Sequence, residues 1–177
     1  MNKIDHNQLP ELLLDIDKIA RKAGKKILEI YETDFSIANK EDNSPLTTAD
    51  TAAHKIICQG LLDLTPDIPI LSEESSHINF SERQKWKQYW LVDPLDGTRE
   101  FIKKNGEFSV NIALIDEHKS VLGVINIPIT DMSYMATINF GAYKSDHKNK
   151  MEKIYVRKIN KDDITIAGSR SHGNQKQ

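Results

Sequence analysis

Apolar residues first recur with helical spacing: Leu9, Leu12, Leu13, Ile16, Ile19, Ala20, Ala23, Ile27 and Ile30 fall three and four apart, with Pro10 in the first turn. This predicts an amphipathic helix over Leu9–Tyr31. Glu32 to Asn43 is polar, mixed in charge, and reads as a loop between helices. A second helix opens in Asp42-Asn43-Ser44-Pro45-Leu46-Thr47-Thr48-Ala49-Asp50 and runs to about Leu62, with Ala49, Ala53, Ile56, Ile57, Gly60 and Leu61 turned inward. After the turn Thr65-Pro66-Asp67, Ile68 to Leu71 is a short apolar strand that ends in Ser72-Glu73-Glu74-Ser75. Ser76 to Gln88 is a polar surface excursion with Trp86 as packing, and Tyr89 to Val92 is a buried strand.

From Glu107 the period changes to two. Phe108, Val110, Ile112 and Leu114 alternate with Ser109, Asn111 and Ala113, the pattern of a half-buried strand. It turns through Asp116-Glu117-His118-Lys119 into Val121 to Ile129, and near Thr130-Asp131 into Met132 to Ile138, an antiparallel meander. Asn139-Phe140-Gly141 is a further turn, Lys144 to Lys150 a charged loop, and Lys153 to Ile159 and Ile164 to Gly168 two more strand candidates. The expected class is α/β, a layered α+β sandwich with an N-terminal helix pair packed on an antiparallel sheet.

At 177 residues the chain suits one domain with its own core, and a net charge of -2 gives no electrostatic case for nucleic acid or an anionic membrane. The single cysteine, Cys58, cannot form an internal disulfide and sits among Ile56, Ile57 and Leu61 as a small hydrophobe. There is no signal-peptide core after Met1 and no run of membrane-spanning length, so a cytoplasmic protein is expected. Glycine-rich nucleotide loops, paired cysteine motifs and His-Glu-x-x-His are absent, and the six histidines read as surface residues.

The candidate chemistry lies in Asp93-Pro94-Leu95-Asp96-Gly97-Thr98-Arg99-Glu100-Phe101, where Pro94 and Gly97 turn the chain at the end of the strand. Two carboxylates thrown together at such a turn repel unless a cation or a shared proton compensates, and a hard divalent metal does this economically. Taken by themselves, Asp, Pro, Gly and Thr are ordinary turn formers, Asp50 is an acid favoured at a helix start, and Glu73-Glu74 are loop residues after a strand.

The match is longer than a turn. Trp90 to Phe101, with Asn105-Gly106-Glu107-Phe108-Ser109-Val110-Asn111-Ile112-Ala113-Leu114, resembles the inositol-monophosphatase superfamily of metal-dependent phosphatases. Asp-Gly-Thr-Arg-Glu-Phe and Asn-Gly-Glu-Phe look most like its bacterial 3'(2'),5'-bisphosphate nucleotidase branch. The resemblance implies a Mg²⁺-dependent phosphomonoesterase, two or more ions per site, acting on 3'-phosphoadenosine 5'-phosphate and inhibited by lithium. It implies that Glu73, Asp93 and the carbonyl of Leu95 hold a first metal, and that Asp93 bridges to a second held also by Asp96. Thr98, oriented by Asp50 and helped by Glu73, would position and deprotonate the attacking water, while the N–H groups of Gly97 and Thr98 meet phosphate. Lys40, in the loop before Asn-Ser-Pro-Leu-Thr-Thr-Ala-Asp, would lie near the site. An inositol-monophosphatase-like specificity and a remnant that binds only metal or a partner are the alternatives, with a peripheral place at the inner face of the membrane compatible with the family.

In the family a second α/β half follows and supplies a further metal-binding Asp and much of the pocket. Here residues 1–163 are expected to form the metal-binding domain, and 164–177 the start of a truncated second half. On that expectation the chain alone is weakly active, and the uncovered sheet favours oligomers.

Overall fold

The computed structural model describes residues 3–33, 37–39, 45–75, 78–148 and 150–158, with backbone alone at 37–39, 45 and 46. The first helix, α1, spans Leu9–Tyr31, and its predicted stripe of Leu9, Leu13, Ile16, Ala20, Ala23 and Ile27 is buried. Strands β1 (Ile37–Asn39) and β2 (Pro45–Thr47) follow and pair antiparallel, where the sequence predicts a loop for the first and the opening of the second helix for the other. Three-residue strands show no period, so their pairing is not legible locally. Helix α2, Thr48–Leu64, is capped by Thr47, whose side chain accepts from the N–H groups of Ala49 and Asp50 while Asp50 accepts from the Thr47 N–H.

The remaining elements are β3 (Ile70–Ser72), the short α3 (Phe80–Arg83), β4 (Gln88–Asp96), α4 (Thr98–Ile102), β5 (Ser109–Asp116), β6 (Lys119–Ile127), β7 (Met132–Thr137), β8 (Gly141–Ser145) and β9 (Met151–Ile154). Strands β3 to β9 lie side by side in chain order in one seven-stranded sheet. All neighbours are antiparallel except β3, which joins β4 in parallel. A parallel partner demands a crossover, and residues 73–87 provide it. The sequence leaves this pair open as parallel or antiparallel, and among the described strands it is the one parallel pair of an otherwise antiparallel sheet. Strand β8 falls where the sequence predicts the end of a turn at Gly141 and the start of a charged loop at Lys144, because Gly141-Ala142-Tyr143-Lys144-Ser145 alternates weakly. The strand expected over Lys153 to Ile159 ends at Ile154, and the candidate at Ile164 to Gly168, like the 163/164 boundary, lies outside the described residues.

Both long helices cover one face of the sheet. Ala49, Ala53, Ile57 and Leu61 of α2 join the α1 stripe over Trp90, Val92, Leu95, Val110, Ile112, Leu114, Leu122 and Val124 in one continuous core. Trp90 is fully buried and its indole N–H donates to Thr65 Oγ1 at 2.9 Å, so the largest core side chain leaves no orphan donor. At Gly24 a Cβ would stand 2.5 Å from Asn126 Oδ1, which lets α1 lie close on β6. The buried Arg21 fixes that helix further, donating to Asp17 at 2.9 Å, Asp131 at 2.6 Å and the Ser145 carbonyl at 3.1 Å. A charge removed from water needs this complete set of acceptors.

The opposite sheet face is open. Leu91, Ile125 and Tyr134 on it are 43%, 47% and 40% exposed. Among the described residues no helix is long and apolar enough to cross a membrane.

Candidate active site

The two acids of the central motif owe their placement to a β-bulge. Asp93 pairs with Asn111 and Asp96 with Ser109, so Pro94 and Leu95 together oppose the single residue Val110. Side chains three apart on a regular strand point to opposite faces; one extra residue returns them to the same one. Pro94 and Leu95 turn into the core while Asp93 and Asp96 face outward. Pro94 therefore does not end the strand, as its sequence context predicts, but sits at the bulge, where its missing N–H costs no ladder bond.

Glu73 arrives from the neighbouring strand. The parallel register sets Ser72 against Val92, and the Glu73 N–H donates to the Val92 carbonyl at 3.0 Å, which brings Glu73 beside Asp93. Asp96 is held from the other side, its Oδ2 accepting from Asn111 Nδ2 at 3.1 Å.

Asp93 records the crowding. Burial, then the charge of Glu73, then that of Asp96, push its carboxyl up to about 7; a hydrogen bond shared with Glu73 adds to this, and the Leu95 N–H opposes it. Asp93 Oδ1 is buried and, among the described residues, has no hydrogen-bond partner. Like charges that hold a proton in common, together with an oxygen lacking any donor, make a site in which a hard cation fits. Among the described residues, no three His, Cys, Asp or Glu side chains are drawn together tightly enough to enclose an ion unaided.

Thr98 opens α4 directly after Gly97, whose φ of 92° lies in the left-handed region. A Cβ there would also stand 2.7 Å from the Glu107 carbonyl oxygen, so the turn accepts only glycine without rearrangement. Phe101 anchors the short helix, fully buried against Tyr31 and Phe108 with ring centroids 5.0 and 5.3 Å away. The Thr98 hydroxyl lies 3.2 Å from Asp50 Oδ1 and 3.1 Å from the Leu95 carbonyl oxygen, two acceptors for one proton. Asp50 is 1% exposed, and its other oxygen takes the Thr47 N–H at 2.8 Å and the Thr47 hydroxyl at 2.5 Å.

The expected set thus divides by element: Glu73 follows β3, Asp93, Leu95 and Asp96 belong to the bulged end of β4, Gly97 and Thr98 start α4, and Asp50 starts α2. Lys40 lies outside the described residues. Sequence reasoning missed Asn111, although the alternation of β5 had already placed it on the polar face. It also missed Arg83, which with Glu73 and Asp93 lines a groove of about 660 Å³ on the open face. The histidines are not all idle surface residues: His54 Nδ1 lies 2.9 Å from Ser72 Oγ, and His6 Nε2 lies 2.8 Å from the buried Asp116. Cys58 is half-buried with Sγ 3.6 Å from His54 Nδ1, and burial pushes its thiol up.

Residues 10–177 match the model of the inositol monophosphatase family. The chain is 47% identical over 133 residues to the 3'(2'),5'-bisphosphate nucleotidase CysQ of Aggregatibacter actinomycetemcomitans, covering 75% of this chain and 49% of that protein. It is 44% identical over 172 residues to the CysQ of Buchnera aphidicola, covering 96% and 63%. The crystal structure of CysQ from Bacteroides thetaiotaomicron, a bacterial member of the inositol monophosphatase family, superposes with a TM-score of 0.71 at 40% identity, over 85% of this chain and 59% of that one. The chain spans between about half and two thirds of the length of these relatives. With the family model covering all but the first nine residues and the bulged acidic strand set against a capped helix start, this chain belongs to the inositol monophosphatase family.

Proposed function

We propose that the chain carries the acidic and water-activating part of a Mg²⁺-dependent phosphomonoesterase for 3'(2'),5'-bisphosphate nucleotides, converting 3'-phosphoadenosine 5'-phosphate to AMP and phosphate. The observation that carries this reading is the bulge at Pro94 and Leu95, which sets Asp93 and Asp96 on one face beside Glu73 and within one turn of Thr98. The relatives' shared name supports the substrate class.

Glu73, Asp93, Asp96 and the Leu95 carbonyl are the groups that would hold Mg²⁺. Bound there, the ion supplies positive charge against phosphate oxygens and acidifies water. The protein's own part is proton handling and aim. When the Thr98 hydroxyl donates to Asp50, its lone pairs are free to accept a hydrogen bond from the attacking water, which fixes the direction of attack. Asp50, buried and already holding the Thr47 donors, cannot swing away from that role. Glu73, hydrogen-bonded to the Asp93 carboxyl, is the second acceptor at hand.

Phosphate release from 3'-phosphoadenosine 5'-phosphate and from inositol 1-phosphate, each with Mg²⁺ and with chelator, tests the proposal. Mg²⁺-dependent release favouring the nucleotide, abolished in Asp93→Asn, is expected. Release indifferent to Mg²⁺ or to Asp93 overturns the mechanism, and a preference for the inositol phosphate overturns the substrate class.

A further inference from the structure

We propose that His54 is a positioning residue for Glu73, acting through Ser72. This rests on the phosphatase reading above. His54 stands four residues after Asp50 on α2, and residues so spaced share one helix face. Along that face Asp50 reaches Thr98, and His54 reaches Ser72, with Nδ1 2.9 Å from Oγ. Ser72 is 5% exposed, is the last residue of β3, and immediately precedes Glu73.

Ser72 and His54 match as hydrogen-bonding partners in either imidazole tautomer. Ser72 Oγ accepts from the Glu74 N–H, with N and O 3.4 Å apart, and its remaining lone pair and proton are both available to His54 Nδ1. The neutral imidazole serves this contact through Nδ1. Burial and the neighbouring charge of Lys55 favour that form, since both hold the ring below its usual basicity. Cys58 Sγ packs against the ring, 3.6 Å from Nδ1 and 3.8 Å from Nε2.

Such a tie matters at this strand because β3 is three residues long and, among the described residues, pairs on one side only. A short parallel edge strand is a weak mount for a group that must hold its place beside another carboxylate. The main-chain bond from Glu73 to Val92 holds the strand end to the sheet; the His54–Ser72 bond holds it to the helix layer. Both the water-aiming pair and the acidic pair are thereby referenced to one rigid element.

The test compares His54→Ala, His54→Asn, Ser72→Ala and the His54→Ala/Ser72→Ala double variant of this chain. Asparagine can present a carboxamide oxygen where Nδ1 was. Losing one such hydrogen bond is expected to speed exchange of the Glu73 amide about three- to tenfold in His54→Ala. Ser72→Ala and the double variant should match His54→Ala, and His54→Asn should restore protection. The Mg²⁺ concentration giving half-maximal phosphate release should rise in the same order, with KM for the nucleotide unchanged. Unchanged Glu73 exchange in His54→Ala, or additive effects in the double variant, would overturn the proposal. The exchange measurement needs no turnover, so an inactive wild-type chain would sink the phosphatase reading while leaving the His54 assignment to be decided by the exchange data alone.

Discussion

Thr98 and Asp50 are 48 residues apart in the chain, yet the threonine hydroxyl lies 3.2 Å from an oxygen of a carboxylate that is 1% exposed. The same carboxylate closes the capping box of α2 through Thr47. One acid therefore serves helix and site together. Thr98→Ala should lower kcat about a hundred- to ten-thousandfold with little change in melting temperature, as loss of a positioned proton-transfer group does. Asp50→Asn should lose a comparable rate and also about 1 kcal/mol of stability, because the cap is weakened with it. Paired steady-state kinetics and thermal denaturation of the two variants separate these effects.

Asp93 gives a pH signature in the absence of metal. Its folded pKa, about 7, lies above the value of an unfolded carboxylate, so the folded state binds more protons between the two. Stability should fall as pH rises through that window and level off above about 7. Asp93→Asn should flatten the profile and melt higher than wild type at pH above about 7 in chelator. Melting curves across pH provide the check; a wild-type chain whose stability rises over that window would contradict the assignment.

Added Mg²⁺ should reverse the order. An ion that binds only the folded chain raises its melting temperature by mass action, and protons compete for the same carboxylates. The gain is expected to be large above pH about 7, small below about pH 6, and absent in Asp93→Asn. Calorimetric titration in two buffers of different ionisation heat would also read the proton released.

Gly97 is the backbone weak point of the site. Gly97→Ala places a Cβ 2.7 Å from the Glu107 oxygen at a φ of 92°, and should cost about 1–3 kcal/mol with a matching loss of activity. Denaturant unfolding measures the first and phosphate release the second. An alanine variant as stable and active as wild type would show that the turn has another route.

The open sheet face predicts behaviour of a different kind. Ile125, half exposed at its centre, lies opposite Asn111 on one side and Tyr134 on the other, away from the helices. Ile125→Lys should raise the solubility limit and reduce binding of a hydrophobic dye, with denaturant stability changed by less than about 0.5 kcal/mol, as for other surface substitutions. Loss of folding in this variant would mean that the face is part of the core.

Local pattern was enough for a good deal. The stripe from Leu9 to Ile27 defined α1 to the residue, and strict alternation from Phe108 to Leu114 put Val110, Ile112 and Leu114 inward and Asn111 outward. Such periodicities survive because each side chain's environment follows from its position on one element. The motif around Asp93, long enough to exceed chance, carried the family and the acids to watch.

What the chain could not disclose locally were the relations between elements. Pro94 reads as a strand terminator until the pairing with β5 shows two residues facing one, and only that extra residue puts Asp93 and Asp96 on the same side. The parallel seating of β3, which delivers Glu73, depends on a crossover and not on any feature of Ile70-Leu71-Ser72. His54 looked like one more polar residue on a helix because nothing near it in sequence names Ser72 as its partner. The sequence by itself determined which residues prefer a helix, a strand or a turn and which acids are present; only the tertiary structure decided which of them meet, because hydrogen bonds and charge repulsion act over a few ångströms of space whatever the separation along the chain.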